Sequence, residues 1–156
     1  MDETTRASIE TFVSHYQTLV LATEHEGQPY ATRIFFVEGP VTDTTFTLYG
    51  TLITSSRKLA NLQHNPQVGI FIGPDQPSVW MEATAYARLL DNEDEAAHVR
   101  ARLAQKSPTA AGFISMVPTA AVELKIHWLR ITDLTGGTPY TEATFEHVPH
   151  TEESHA

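Results

Sequence analysis

The chain has 156 residues, of which 41% are hydrophobic and 19% charged, so it is long enough for one domain with a substantial core. Its net charge is −9 with only ten Lys and Arg residues, which argues against nucleic-acid binding. It has no cysteine, signal segment or membrane-length apolar run, so we expect a cytoplasmic protein without thiol chemistry, disulfides or a membrane partner.

The first part of the chain is predicted to form one helix and three strands. Four apolar residues near the start have the i, i+3, i+4, i+7 spacing of an amphipathic helix: Ile9, Phe12, Val13 and Tyr16. Residues 19–23 and 30–37 are strand-like, and the turn residues at 25–29 between them predict a hairpin. A third strand is expected at 45–49.

A short helix is predicted next, capped by Ser55 or Ser56 and ended by the Asn-Pro pair at 65–66. Arg57 and Lys58 then fall in its first turn, beside free backbone N–H groups and the positive end of the helix dipole. That placement is unfavourable by roughly 0.3–1 kcal/mol per charge unless an anion is present. The pattern therefore favours a phosphate site. The alternative is two solvated cations on a surface helix.

The second part of the chain is predicted to contain three strands and two helices. In chain order these are a strand at 68–72, a long alternating strand at 79–89, a helix with Asn92 and Glu95 in capping-box spacing that ends at 107–108, a short helix at 110–116 and a last strand at 120–132. Hairpin-like connections dominate, so we expect an α+β fold built on a small antiparallel barrel with flanking helices.

The C-terminal part is strongly acidic. From Asp133 onward there are five acidic residues and no Lys or Arg. We therefore expect one domain over residues 1–135 and a mobile or loosely docked extension over residues 136–156. His147 and His150 have i, i+3 spacing in that extension, but solvated histidines are the better interpretation than a metal site.

Four stretches carry a family resemblance: Arg33-Ile34-Phe35-Phe36-Val37, Tyr49-Gly50-Thr51, Ser56-Arg57-Lys58-Leu59-x-Asn61-Leu62-x-x-Asn65-Pro66-x-Val68, and a long strand that ends Ala87-Arg88-Leu89-Leu90. Together with the strand order over roughly residues 8–132, they resemble the pyridoxamine 5′-phosphate oxidase-like flavin-binding split-barrel proteins. The resemblance implies a homodimer with two flavin mononucleotide (FMN) sites at the subunit interface.

The resemblance implies that four residues hold the FMN phosphate. Arg57 and Lys58 match the family's phosphate-binding pair, and Ser56 matches the adjacent hydroxyl. Arg33 matches the arginine that reaches the phosphate from the second strand.

The resemblance also implies contacts to the isoalloxazine ring from three places. Ile34, Phe35 and Phe36 match the segment whose backbone runs beside the ring, Tyr49 and Thr51 lie near an aromatic–hydroxyl position, and Trp80 and Met81 lie where the partner subunit contributes in relatives. Gly50 separates Tyr49 from Thr51, and the family's usual polar residues are absent at 80 and 81, so these two matches depart from the pattern.

True pyridoxamine phosphate oxidases carry a C-terminal Arg-Leu-His-x-Arg type segment for the substrate phosphate, where this chain has Trp128-Leu129-Arg130. We therefore expect an FMN-dependent oxidoreductase acting on another small-molecule substrate, with no catalytic residue identified. The alternative is a non-catalytic module that binds or senses flavin, deazaflavin or haem. Deazaflavin fits less well. Its longer acidic tail would need additional positive charge, and the chain has only ten Lys and Arg residues.

Overall fold

A computed structural model describes residues 1–76 and 78–146 of the chain, and these residues form four helices and seven strands. In chain order they are α1 (Glu3–Ser14), β1 (Thr18–His25), β2 (Gln28–Glu38), β3 (Thr47–Ile53), α2 (Arg57–His64), β4 (Gln67–Ile72), β5 (Val79–Leu89), α3 (Glu93–Lys106), α4 (Pro108–Met116), β6 (Thr119–Asp133) and β7 (Tyr140–Thr144). Within the described ranges, no helix has both the length and the apolarity needed to cross a bilayer.

The strands form an antiparallel sheet in the order β3-β2-β1-β4-β5-β6-β7, and a further pairing of β3 with β6 closes the first six into a barrel. β6 has 15 residues, which is long enough to pair with both β3 and β7 along the same edge. One edge of β6 pairs with β5, whereas the other pairs first with β3 and then with β7. The predicted α+β antiparallel barrel with flanking helices is confirmed.

Two glycines allow the backbone geometry around β2. Gly27 has φ +80° and follows Glu26 with φ +52°, so the two form the tight turn of the β1–β2 hairpin. Gly50 in β3 lies against β2, where a Cβ atom would come within 2.9 Å of the Phe35 carbonyl oxygen. Beyond Gly50, β3 continues to Ile53 by pairing with β6, four residues beyond the strand end expected from the sequence.

Apolar side chains pack on both sides of the β2–β3 wall. The barrel interior is filled by the alternating residues of all six strands, with Phe36, Leu48 and Met81 among the fully buried side chains. A second cluster lies outside the barrel, where α3 and α4 cover Val37 and the partly buried Phe35. The helices therefore cover one outer face of the barrel beside β2 and β3.

One strand was not expected from the sequence. Residues 140–144, which we had placed in a loosely docked extension, form β7 and pair with β6 from Trp128 to Thr132. Phe145 follows and is buried against the ring of Phe46 at 5.8 Å. The expectation of a loose extension is therefore wrong for residues 140–145. His147 and His150 lie outside the described residues.

Candidate cofactor site

The start of α2 has the predicted geometry. Ser56 is the N-cap, with extended backbone angles, and its hydroxyl accepts a hydrogen bond from the Leu59 N–H at 3.4 Å. Arg57 and Lys58 occupy the first turn, which contains no acidic residue, and Asn65 ends the helix. The first turn therefore combines two cations with the positive end of the helix dipole.

The two cations have different surroundings. Lys58 is only 8% exposed, and within residues 1–76 and 78–146 its ammonium has neither a hydrogen-bond acceptor nor an ion-pair partner. Burial lowers the pKa of Lys58 from its ordinary value, because desolvation penalises the charged form. Arg57 is exposed, and its guanidinium lies over the ring of Tyr30 at 5.6 Å.

A cavity of about 260 Å³ lies where α2, β2, β3 and α4 meet. Its lining contains five of the residues predicted for the cofactor: Arg33, Ile34, Phe35, Thr51 and Lys58. The fold thus brings the ammonium of a mostly buried lysine, a hydroxyl and an aromatic ring to one place.

Thr51 supplies the most informative polar atom of the cavity. Its side chain is 2% exposed, and its hydroxyl has no hydrogen-bond partner among the described residues. Buried hydroxyl groups are nearly always hydrogen-bonded, because leaving one unpaired costs roughly 1–3 kcal/mol. The cavity therefore contains two polar groups, the Thr51 hydroxyl and the Lys58 ammonium, that have no partner among the described residues and can donate hydrogen bonds to acceptor atoms.

Four further residues line the cavity that the sequence had not suggested: Thr18, Thr32, Ile53 and Phe113. Thr18 accepts a hydrogen bond from the Arg33 guanidinium at 3.0 Å. The ring of Phe113 in α4 lies 5.6 Å from the ring of Phe35. The contact between Thr18 and Arg33 could have been predicted from the β1–β2 hairpin, in which Thr18 pairs with Phe35. No local signal connects α4 with β2, so the contact between Phe113 and Phe35 could not.

Six of the predicted residues do not line this cavity in the single chain: Phe36, Tyr49, Ser56, Arg57, Trp80 and Met81. Phe36 is 1% exposed and points into the barrel, with the Lys106 ammonium over its ring at 3.9 Å. Tyr49 packs beside α3, with the Arg102 guanidinium 5.8 Å from its ring. Trp80 and Met81 lie on β5, and Met81 is fully buried in the barrel.

No metal centre accompanies the cavity. Among residues 1–76 and 78–146, no group of three or more His, Asp or Glu side chains is arranged to hold a metal ion. The polar groups of the cavity are a guanidinium, an ammonium and hydroxyls, which bind anions and hydrogen-bond acceptors.

The strand order and the closure of β3 onto β6 define an antiparallel split barrel with flanking helices. The model of the pyridoxamine 5′-phosphate oxidase family matches residues 5–133, and the chain belongs to this family. No curated protein matches the sequence.

Several solved structures share the fold. A Clostridium acetobutylicum protein related to general stress protein 26 of B. subtilis is 12% identical with a TM-score of 0.68, covering 92% of this chain and 96% of that one. HutZ, the heme storage protein from Vibrio cholerae, is 17% identical with a TM-score of 0.64, covering 89% and 95%. A heme binding protein from Mycobacterium smegmatis is 19% identical with a TM-score of 0.68, covering 92% of this chain and 59% of that one. At these identities the likeness establishes the fold alone.

Proposed function

We propose that this chain binds FMN, with the phosphate at the start of α2 and the ring beside β2 and β3, and that it works as a flavin-dependent oxidoreductase. The observation that carries the proposal is the pair of unpaired polar groups in one cavity, the Lys58 ammonium and the Thr51 hydroxyl. Partial desolvation and the positive end of the helix dipole both disfavour an unpaired cation at this position, so Lys58 favours an anionic ligand.

The residues present fit FMN. Its phosphate suits Lys58, Arg57 and the free N–H groups of α2, its acceptor atoms suit Thr51, and its flat apolar ring suits Phe35. When bound, the flavin supplies hydride or electron transfer, whereas the chain binds it, orients it and excludes water. Arg33, held by Thr18, adds a second cation at the edge of the cavity.

The lining favours flavin over haem. Haem iron in proteins is held by His, Cys, Met or Tyr side chains. None of these residue types is among the residues that line the cavity in the described part of the chain. The haem proteins among the similar structures therefore make haem an outcome to be tested rather than the preferred ligand.

We also propose that a second copy of the chain completes the site. The cavity volume of about 260 Å³ lies below the roughly 300–1,000 Å³ usual for cofactor and drug-sized ligands. Trp80 is only partly buried and Phe71 is exposed, on strands β5 and β4. Aromatic side chains of this kind are enriched at subunit interfaces, which supports a homodimer.

The surroundings of Arg130 argue against pyridoxamine phosphate oxidation. That substrate carries its own phosphate and needs cations beyond those that hold FMN. Arg130 pairs with Glu142 at 3.4 Å, and its guanidinium lies 5.8 Å from the Trp128 ring and 5.1 Å from the Tyr140 ring. Since β7 already neutralises this arginine, we propose a neutral or apolar substrate instead.

Purification from cells, followed by an absorbance spectrum and mass spectrometry of the released ligand, tests the proposal. Flavin bands and the mass of FMN are expected in the wild type and strongly reduced in Lys58→Met. A Soret band, or a colourless protein that binds no added FMN, would overturn it. Peroxide formation from pyridoxamine phosphate by the FMN-loaded protein would overturn the substrate assignment alone.

A further inference from the structure

A row of four outward-facing side chains crosses the barrel wall at the level of Arg33. The register pairs Arg33 of β2 with Val20 of β1. Val20 also pairs with Phe71 of β4, which in turn pairs with Glu82 of β5. Paired residues on neighbouring strands point to the same face of a sheet, and the residues that follow these four in their strands are buried in the barrel. These four residues, here called the outer row, therefore lie on the outside of the barrel.

The two ends of the outer row carry opposite charges that lack counter-ions. Arg33 is exposed, and its guanidinium donates a hydrogen bond to Thr18 but forms no ion pair among residues 1–76 and 78–146. Glu82 is partly buried, and its carboxylate has no hydrogen bond or ion pair within the same ranges. Arg130 lies next to Glu82 in the register but pairs with Glu142 on its other side, at 3.4 Å. The outer row therefore consists of a cation, two apolar residues and an anion, in that order.

This order of charges is complementary to its own reverse. A two-fold axis that is parallel to the strands and runs between β1 and β4 reverses the row when two copies of the chain pack face to face. Arg33 then faces Glu82 of the partner subunit, and Val20 faces the partner subunit's Phe71. An axis along the row would instead place Arg33 opposite its own copy, and like charges across an interface are unfavourable. The charges therefore favour the first arrangement.

The neighbouring rows fit the same axis. On one side of the outer row, the outward positions carry small side chains that let two copies of the sheet approach closely: Ala31, Ala22, Gly69 and Thr84. On the other side, the axis places Phe35 opposite Trp80 of the partner subunit, since Trp80 lies beside Gly73, just after β4. Phe35 lines the cofactor cavity, so the second copy adds an aromatic ring there.

We infer that Glu82 of the partner subunit pairs with Arg33 at the edge of the cofactor cavity, in a homodimer whose two-fold axis runs between β1 and β4. The inference rests on the proposed function, because the homodimer and the role of Arg33 are both part of it. A guanidinium has five N–H donors, of which Thr18 accepts one, so Arg33 can pair with a carboxylate and still contact an anionic cofactor. The ion pair thereby links dimerisation to the cofactor site.

Charge reversal tests the pair, with dimerisation measured by sedimentation equilibrium on the protein without FMN. Arg33→Glu and Glu82→Arg each bring like charges together across the interface, so each should weaken dimerisation by about tenfold or more. The variant with both substitutions restores opposite charges and should dimerise to within about threefold of the wild type. A purely structural role of either residue would not give this recovery.

Two further variants complete the experiment. Glu10→Arg is the matched control, because it reverses a charge at an exposed position of α1 outside the outer row and should leave dimerisation unchanged. Glu82→Gln removes the charge without adding a cation beside Arg130, so it covers the case in which Glu82→Arg does not fold. Glu82→Gln should weaken dimerisation by about threefold, and more strongly in low salt than in high salt, as expected for the loss of an ion pair.

Titration with FMN separates this inference from the proposed function. In the variant with both substitutions FMN affinity should stay low, because position 33 then carries an anion beside the cavity. If the wild type binds FMN but the double variant dimerises no better than the single variants, the ion pair is wrong and the FMN site stands. A wild-type monomer would also overturn the ion pair. If the wild type binds no FMN but the double variant recovers dimerisation, the ion pair stands and the proposed function fails.

Discussion

The Asn61 side-chain amide donates a hydrogen bond to the Thr23 hydroxyl at 3.0 Å, and both residues are buried. This contact joins α2 to β1 one helical turn after Lys58. Asn65, at the end of α2, donates a second hydrogen bond to the Glu24 carboxylate at 2.6 Å. The start of the helix, and with it the anion site, is therefore positioned by polar contacts to the first strand.

Replacing Asn61 by Leu is expected to weaken both the fold and FMN binding. The Thr23 hydroxyl would lose its donor, which costs about 1–3 kcal/mol in the free energy of unfolding. The change would also release the orientation of α2, so the dissociation constant for FMN should rise. Urea unfolding of the apoprotein and calorimetric titration with FMN measure the two effects.

The double variant Asn61→Leu with Thr23→Val is the matched control. It removes both partners, so most of the lost stability should return. FMN affinity should stay low because the helix is still not held by the hydrogen bond. Full recovery of affinity in the double variant would mean that packing alone positions α2.

Arg57→Ala and Lys58→Met are each expected to weaken FMN binding by about 10- to 100-fold, because one charge-assisted hydrogen bond contributes about 1.5–3 kcal/mol. Lys58→Met should leave the apoprotein equally stable or more stable, since it removes a partly desolvated charge that has no partner among the described residues. Lys125→Met, at an exposed position of β6, should change neither quantity. Unchanged affinity in a variant with both substitutions in α2 would remove the site assignment.

FMN affinity is expected to fall as the pH rises. The fall should begin at a lower pH than it would for a lysine with the ordinary pKa. Burial lowers the pKa of Lys58 in the free protein, whereas a bound phosphate would favour the charged form and raise it. Above the lowered pKa, binding must therefore take up a proton, and the affinity decreases. Titrations between about pH 7 and 10 should show this decrease in the wild type and not in Lys58→Arg, because arginine stays protonated.

The same shift predicts the opposite trend for the free protein. Because the pKa of Lys58 is lowered on folding, the folded state releases its proton before the unfolded state does. The apoprotein should therefore gain stability as the pH rises through the lowered pKa towards the ordinary lysine value. Lys58→Met should lack this gain in urea unfolding over the same pH range.

Thr51→Val should separate ligand binding from folding. Valine has nearly the same shape and removes a buried hydroxyl that has no partner in the described structure, so the apoprotein should be as stable as the wild type or more stable. FMN binding should weaken by about 3- to 10-fold if the hydroxyl bonds to the ligand. Thermal unfolding with and without FMN measures both effects, and an unchanged shift on adding FMN would exclude Thr51 from the site.

The wild-type protein is expected to be a homodimer in sedimentation equilibrium. Phe71→Arg and Trp80→Arg place charge on the outer face of β4 and β5 and should produce monomers with weakened FMN binding, because charges are disfavoured at the centre of an interface. Leu134→Arg, at an exposed loop position, is the control and should remain dimeric. A stable wild-type monomer with a full complement of FMN would contradict the proposed shared site.

Segments with strong local signals were predicted closely. The strand at 79–89 has the same bounds in the structure, because alternation over eleven residues leaves little choice of register. The serine cap and the Asn-Pro end of α2 are also local features, and Ser56 proved to be the cap. These features placed Lys58 in the first turn of α2, whereas the cavity beside it depends on β1, β2, β3 and α4.

Features that depend on distant contacts were not predictable. β7 contains small and polar residues, and it forms only because β6 offers an unpaired edge between Trp128 and Thr132. The third strand was expected to end at residue 49, whereas it continues through Gly50, whose missing side chain lets β3 approach β2 closely. The contact of Phe113 with Phe35 depends on how α4 packs against the barrel, which no local sequence pattern indicates.

Closure of the barrel also determines when the cofactor site can form during folding. β3 pairs with β6 along residues 47–53, with Thr47 opposite Lys125 and Ile53 opposite Thr119. Two segments far apart in the chain must therefore meet before Thr51 reaches its final place. Contacts between such distant segments are slow to form, because the intervening chain must first be ordered. In refolding experiments the ability to bind FMN should therefore return with the slowest phase, after the β1–β2 hairpin has formed.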